Sequence, residues 1–289
     1  MKTQKLTTLF AVLTLSMILS GCGEKAKKDT TDTMKMESEE MVSKEPEYNT
    51  AKPETLLASI EYAHGGWNDL WSKNDVQYTY DYRYPDGKAD VSVERYIFSN
   101  EASYGNYTQH DINVMPGEKG EVTQYFDGET TKVMMDGKNV ENPQVVAVSD
   151  FLRRANYFWF VMPYKLNDKG TIATYMGQED YNNTTYDKVE ITYDAAITGK
   201  EQNDAYILYV NPETKLVDRF YFSLPFLGVN APVIIANYEY EEIEGQKIAT
   251  KRTYFMPNEK GEYGEDPNIV QTLTNVKFNN GFAEKGLMN

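Results

Sequence analysis

The stretch VQYTYDYRY, residues 76–84, decides the fold class of this chain. Val76 and the tyrosines at every second position fall on one side of an extended chain, and the polar residues between them fall on the other. This alternation predicts a half-buried β-strand, and Pro85-Asp86-Gly87 after it predicts a turn. The chain has 23 tyrosines and 12 phenylalanines in 289 residues, and aromatic residues favour strands. The sequence therefore predicts a protein that is mainly β.

Further strands with the same character, separated by turn residues such as Asn211-Pro212 and Glu244-Gly245, bring the expected total to about ten or eleven. Mostly short connections favour an antiparallel meander. After residues 76–84, the predicted strands are 91–98, 122–126, 130–135, 171–176, 186–193, 206–210, 216–222, 233–240, 248–255 and 270–278.

Two apolar segments have helical spacing instead. One begins at Pro53 and ends near His64, and the other follows Asn142-Pro143, runs from about residue 144 to 160 and is expected to end at Pro163. A sheet of this many strands curls as its twist accumulates, which leaves a concave apolar side that needs cover. We therefore predict an antiparallel incomplete β-barrel, a half-barrel of about 10–11 strands, with the two helices packed on its concave side.

The N-terminus carries the features of an export signal. Lys2 and Lys5 precede an apolar run, and the run ends in Leu19-Ser20-Gly21-Cys22, which resembles the lipobox of bacterial lipoproteins. We predict a signal peptide over residues 1–21, lipidation of Cys22 with palmitate-type acyl chains, a disordered tether over 22–52 and one domain over 53–289. An ordinary cleaved signal with an incidental thiol is the alternative.

Charge and cysteine content exclude several classes of partner. Removing the signal leaves 27 of the 29 basic residues against 44 acidic ones, and so acidic a chain is not expected to bind nucleic acid or to adhere electrostatically to anionic lipid. We therefore expect membrane contact through the N-terminal acyl chains. Acylation of Cys22, the single cysteine, would leave no thiol for a disulfide or a metal.

Motifs of enzymes and metal sites are missing from the sequence. His64 and His110 are the only histidines, and no HExxH, GxSxG, Walker or GxGxxG motif occurs. His64 is expected to be a helix-end histidine bonded to a terminal carbonyl, with a site residue as the alternative. We expect a protein without a cofactor or a metal and without enzymatic activity.

The aromatic rows are the remaining candidates for a site. Aromatic rings supply apolar surface, tyrosine hydroxyls supply polar points, and methionine adapts to irregular ligands. A packed core is the competing interpretation for each residue. The predicted cavity-lining residues are Tyr78, Tyr80, Tyr82, Phe151, Phe158, Trp159, Met162, Phe220 and Phe222.

Two segments in the second half carry a resemblance to a known family. The hairpin YVNPETKLV, residues 209–217, and the later segment YEYEEIEGQKIATKR, residues 238–252, resemble the tail of the LolA/LolB-like outer-membrane lipoprotein carrier superfamily, with Ala249 where the family usually has proline. The sequence around His64-Gly65-Gly66-Trp67 is similar to an uncharacterised family of Bacteroidota lipoproteins. No residue is an unambiguous match to the barrel arginine associated with gating in the family's carrier.

The resemblance implies an incomplete barrel whose apolar cavity holds acyl chains. It implies a protein anchored in the bacterial outer membrane, facing the periplasm or the cell surface, that binds a lipid or other amphiphile. A structural or protein-interaction module of the envelope is the alternative, with an unknown protein partner, and an envelope hydrolase is a third possibility.

Overall fold

One antiparallel sheet of thirteen strands dominates the computed structural model, which describes residues 45–199 and 202–288. The strands in this part of the chain are β1 (Asp75–Arg83), β2 (Ala89–Ile97), β3 (Ala102–His110), β4 (Val122–Phe126), β5 (Thr131–Met135), β6 (Lys138–Asn139), β7 (Thr171–Tyr181), β8 (Thr184–Tyr193), β9 (Tyr206–Val210), β10 (Val217–Leu224), β11 (Val229–Ile243), β12 (Gln246–Phe255) and β13 (Ile269–Phe278). The helices are α1 (Pro53–Ala63), α2 (Trp67–Ser72), α3 (Pro143–Lys165), α4 (Ala195–Thr198) and α5 (Phe282–Lys285), with a 3-10 turn at Pro225–Leu227.

The order of the strands explains the role of the long helix. The sheet runs β6-β5-β4-β3-β2-β1-β13-β12-β11-β10-β9-β8-β7, so the chain steps outward from β1 to one edge and restarts at the other edge with β7. Helix α3 makes this return across the concave face, and its 23 residues span about 34 Å. Within the described residues β6 and β7 remain as edges, and the barrel is open. The predicted mainly β half-barrel is confirmed.

Helix α3 starts as predicted but ends later. The Asn142 side chain accepts hydrogen bonds from the backbone N–H groups of Gln144 and Val145 at 3.0 and 3.4 Å, and Pro143 occupies the first turn. The predicted end at Pro163 is wrong, because the helix continues to Lys165. The buried residues of this last turn hold it in place: the Tyr164 hydroxyl, for example, donates to the backbone carbonyl of His64 at 2.7 Å.

The strand prediction missed β3 and the two-residue β6, and thirteen strands replace the expected ten or eleven. Strand β3 reads ASYGNYTQH, and its central Gly105-Asn106 pair is a combination that strands disfavour. Its pairing with β2 on one side and β4 on the other overrides this local preference. After Gly66, a short helix, α2 over Trp67–Ser72, leads to the first strand.

The start of the described chain packs on the domain. The Tyr48 hydroxyl donates to the Asp187 carboxylate at 2.7 Å, and the Ser59 hydroxyl donates to the Pro46 carbonyl at 3.1 Å. Residues 45–52, whose composition assigns them to the tether, are therefore held against the folded unit. Tyr48, the one aromatic residue in this segment, makes the contact with Asp187, and the polar composition of the segment does not predict it.

None of the helices within residues 45–199 and 202–288 has the length and hydropathy needed to cross a membrane.

Candidate ligand-binding site

Helix α3 is fixed to the sheet by a buried ion pair. Arg153 donates to both carboxylate oxygens of Glu94 on β2, at 2.6 and 3.0 Å, and neither side chain is exposed. The same guanidinium donates to the Gln124 carbonyl on β4 at 3.1 Å, and the Gln124 amide donates to the Ser149 hydroxyl at 2.8 Å. Two strands and the helix therefore share one polar network.

Hydroxyl groups complete the shell of Glu94. Ser92 donates to the carboxylate at 2.7 Å and Tyr96 at 3.1 Å. Burial raises the pKa of Tyr96 well above its usual value, and the Glu94 charge raises it further, so this hydroxyl stays protonated and donates. Burial acts to lower the pKa of Arg153, but the Glu94 carboxylate together with Tyr107 and Tyr96 outweighs it, and the net shift is upward. The network is charged and internally satisfied, and it positions the middle of α3.

An inner cavity of about 140 Å³ lies between the middle of α3 and the sheet, partly open to solvent. Most of its wall is apolar. The helix contributes Phe151, Leu152 and Trp159, and the sheet contributes Phe222 and Ile234 among others.

Polar groups are concentrated on the sheet wall of this cavity. The Tyr254 hydroxyl donates to the Gln271 side-chain carbonyl at 3.1 Å, and both residues line the cavity with Tyr82. The Asp90 carboxylate, also in the wall, accepts the backbone N–H groups of Ile112 and Asn113 at 2.9 and 2.8 Å. Burial raises the pKa of Asp90 against the opposing effect of these hydrogen bonds. Burial likewise raises the pKa of Tyr82, so its hydroxyl stays protonated.

A larger groove of about 610 Å³ runs along α3 beside β8–β10. Phe158, Trp159 and Tyr206 line its apolar part. Charged side chains also line the groove: Glu101, Asp150, Arg154, Lys165, Asp168, Lys169 and Asp204. Small-molecule sites typically have volumes of about 300–1,000 Å³. The volume of the groove lies within this range, and the volume of the inner cavity lies below it.

Phe151 lines both the inner cavity and the groove. The ring of Phe226, on the turn between β10 and β11, stacks on it with a centroid distance of 4.0 Å and an interplanar angle of 4°. Phe226 is 56% exposed, and its neighbour Leu227 lines the inner cavity. The Phe151–Phe226 stack therefore lies at the boundary between the two spaces.

The structure brings six of the nine predicted lining residues to these spaces. Tyr78, Met162 and Phe220 line neither the inner cavity nor the groove and pack in the core: Tyr78 stacks on Phe160 at 5.3 Å, and Phe220 stacks on Trp159 at 5.9 Å. The inner cavity is lined by Tyr80, Tyr82, Phe151, Trp159 and Phe222, and the groove by Phe151, Phe158 and Trp159. Cys22 lies outside the described residues.

Sequence reasoning missed the Arg153–Glu94 pair and the polar wall of Asp90, Tyr254 and Gln271. Glu94 and Gln271 occupy inward positions of their strands, and a charged or amide residue in an inward register is the signal that could have found them.

His64 closes α1. Its Nδ1 lies 2.7 Å from the Ile60 carbonyl, which confirms the helix-end prediction. Burial lowers the pKa of His64 to about 4, against the hydrogen bond to Ile60, which acts to raise it. Within residues 45–199 and 202–288, no group of three or more His, Cys, Asp or Glu side chains could hold a metal ion.

The fold and the cavity define a class of protein: an open antiparallel half-barrel with helices packed against its sheet, α3 along the inner cavity and α1 in the core beside it. Residues 47–231 match the model of a family described as "Family of unknown function (DUF6503)", and the chain belongs to this family. No curated protein matches the chain.

Several solved structures are similar to this chain at low sequence identity. An outer membrane lipoprotein-sorting protein domain from Vibrio parahaemolyticus has 8% identity and a TM-score of 0.43, over 82% of this chain and 96% of that one. A DUF1329 family protein from Desulfovibrio piger has 11% identity and a TM-score of 0.42, over 83% and 99%. A LolA superfamily protein from Nitrosomonas europaea has 14% identity and a TM-score of 0.41, over 73% and 92%.

Proposed function

We propose that the protein binds a lipid or other amphiphile along α3, in the inner cavity and the groove, without covalent chemistry. The observation that carries this proposal is that Phe151 lines both the inner cavity and the groove, and that the greater part of each wall is apolar. The sheet side of the inner cavity supplies polar groups, among them Tyr254 and Gln271. Apolar walls with a few convergent polar groups are typical of small-molecule sites.

The volumes fit an elongated ligand. An apolar cavity of about 150 Å³ accommodates a molecule the size of benzene, so the inner cavity alone takes only a headgroup or a few carbon atoms. The rest of a tail needs the groove of about 610 Å³. A ligand with a polar end and an apolar chain therefore suits the two spaces together.

The N-terminal predictions complete the proposal. Residues 1–21 would be removed as a signal peptide, Cys22 would carry the acyl chains, and the following residues would link the domain to the membrane. We propose an outer-membrane location facing the periplasm or the cell surface. A partly folded link is supported by the contacts that residues 45–52 make with the domain.

Mass spectrometry of the mature protein, extracted in a mild detergent and kept native, tests the binding function. We expect lipid mass beyond the N-terminal acyl groups. Ala155 lines both spaces, so Ala155→Trp should displace this lipid, whereas Ala195→Trp on the exposed face of α4 should retain it. Circular dichroism would establish that both variants are folded. Lipid-free wild-type protein with a stoichiometric protein partner would contradict the proposal and favour an envelope interaction module.

A further inference from the structure

Two arginines are fully buried on the concave side, and only one has a counter-ion. Arg153 pairs with Glu94 at 2.6 Å. Arg252 on β12 is 2% exposed, yet no aspartate or glutamate in residues 45–199 and 202–288 forms an ion pair with it. Its Nε donates to the Ala249 carbonyl at 3.2 Å, and its Nη2 is buried without a hydrogen-bond partner.

The surroundings of Arg252 are tyrosines. Its guanidinium lies 5.2 Å from the ring centre of Tyr238, whose hydroxyl is also buried without a hydrogen-bond partner. Burial acts to lower the pKa of Arg252, but four tyrosines, Tyr238 and Tyr254 before Tyr78 and Tyr80, together outweigh it, so the group remains charged. An unpaired buried charge costs several kcal/mol, and buried polar groups in native proteins are nearly always satisfied. The charge of Arg252 therefore calls for an anion that the chain itself does not supply.

Strand register connects Arg252 to the inner cavity. Arg252 stands opposite Tyr238 on β11 and opposite Gln271 on β13, and Gln271 in turn stands opposite Tyr82 on β1. Gln271 and Tyr82 line the cavity, and so does Tyr254, two residues along β12 from Arg252. Neighbouring strands lie about 4.8 Å apart, so the arginine is one strand away from the polar wall. The Tyr254–Gln271 hydrogen bond closes this wall.

We propose that the amphiphile is anionic, with a carboxylate or phosphate headgroup at the Tyr254–Gln271 wall and Arg252 as its counter-ion. This inference rests on the proposed function. When the Tyr254–Gln271 hydrogen bond opens, an anion at this wall accepts hydrogen bonds from Arg252 Nη2 and from the Tyr238 hydroxyl. The apolar tail of the ligand then extends past Phe151 into the groove.

The nearby carboxylates do not compete for this role. Glu94 is held by Arg153. Asp90 lies on the same row of the sheet but three strands away from Arg252, about 14 Å, and it is occupied by two backbone N–H groups.

Four probes with one tail length test the charge preference: dodecanoate, dodecyl phosphate, dodecanol and dodecyltrimethylammonium, each titrated calorimetrically into the folded protein. We expect at least tenfold tighter binding of an anionic probe than of dodecanol, and the weakest binding for the cation. The carboxylate and phosphate arms separate a fatty-acid headgroup from a phospholipid-type headgroup.

Arg252→Met should abolish the preference for the anions and leave dodecanol affinity within about threefold. Because a buried ionic group replaced by an apolar one of similar volume is often neutral or stabilising, this variant should fold with an unchanged or higher Tm. The wild-type preference tests the inference independently of any variant. Equal binding of all four probes, or a preference that persists in Arg252→Met, would overturn the role of Arg252 and leave the proposed function standing. Failure of every probe to bind would overturn the proposed function itself.

Discussion

Arg153 on α3 and Glu94 on β2 form a bidentate ion pair with N–O distances of 2.6 and 3.0 Å, and neither side chain reaches solvent. This pair joins the helix that crosses the concave face to the first half of the sheet. The inner cavity lies under the same helix, within one turn of Arg153 at Leu152 and Asn156. The shape of the cavity therefore depends on a pair that takes no part in lining it.

Removal of the arginine should destabilise the protein strongly. Arg153→Met leaves the Glu94 carboxylate buried without its partner, which typically costs about 3–5 kcal/mol in the free energy of unfolding. The neighbouring Arg154 pairs with Asp150 at 2.9 Å, but both side chains are substantially exposed, so Arg154→Met should cost less than about 1 kcal/mol. Urea unfolding followed by circular dichroism measures both values. Equal losses in the two variants would contradict a stabilising role specific to the buried pair.

Gly105 on β3 should not tolerate a side chain. A Cβ atom there would lie 2.6 Å from Arg153 Nη1 and 2.8 Å from its Cζ. Overpacking of this kind typically costs about 1–3 kcal/mol, and Gly105→Ala should show a loss in that range. At Gly264 the nearest atom to an added Cβ is the Asp266 carbonyl oxygen at 3.7 Å, so Gly264→Ala serves as the matched control.

The same substitution tests its cause through a double-mutant cycle. If the guanidinium is the obstacle, Gly105→Ala should cost less in the Arg153→Met background, with a coupling above about 0.5 kcal/mol. Additive losses would mean that the strand, and not the arginine, requires glycine at this position.

His64 should make stability depend on pH. Its pKa is about 4 in the folded protein and 6.5 in the unfolded chain, so the unfolded chain binds more protons between these values. The stabilisation is complete above about pH 6.5 and is lost as the pH falls toward 4, and it amounts to about 2 kcal/mol between pH 7 and pH 5. In His64→Phe an aromatic ring is retained but nothing titrates. The unfolding free energy of the wild type should therefore fall by that amount relative to the variant on going from pH 7 to pH 5. Parallel pH profiles of the two proteins would rule out the predicted linkage.

Alternation and helix signals were sufficient to predict the architecture. Residues 76–84 alternate because one face of β1 is buried. Helix α3 begins after Asn142 because the Asn142 side chain accepts hydrogen bonds from backbone N–H groups of the first turn, and the ring of Pro143 restricts the backbone there. Strand β3 was missed because Gly105 is dictated by Arg153, 48 positions further along the chain. A requirement imposed by a distant side chain has no local pattern.

The candidate site was less accessible to sequence reasoning for a related reason. The aromatic rows contain cavity-lining and core residues at the same strand spacing, so Tyr80 and Tyr78 cannot be separated by periodicity. Arg252 lies inside the segment that carries the family resemblance, yet a lone arginine in a strand is ordinarily read as solvent-facing. Only the register against Tyr238 and Gln271 shows that it faces inward.

Phe226 should control exchange of a bound tail. Its ring stacks on Phe151 at the boundary of cavity and groove, and an aromatic stack contributes about 0.5–1.5 kcal/mol. If parting this stack limits tail release, Phe226→Ala should accelerate dissociation by roughly twofold to tenfold. Because Phe226 is 56% exposed, its loss should lower the unfolding free energy by no more than about 1.5 kcal/mol.

Stopped-flow release of a dansyl-labelled fatty acid measures the dissociation rate. The control is Tyr62→Ala, which removes an exposed ring from α1 away from both spaces. An unchanged rate in Phe226→Ala would mean that the tail leaves by a route that does not pass the Phe151–Phe226 stack.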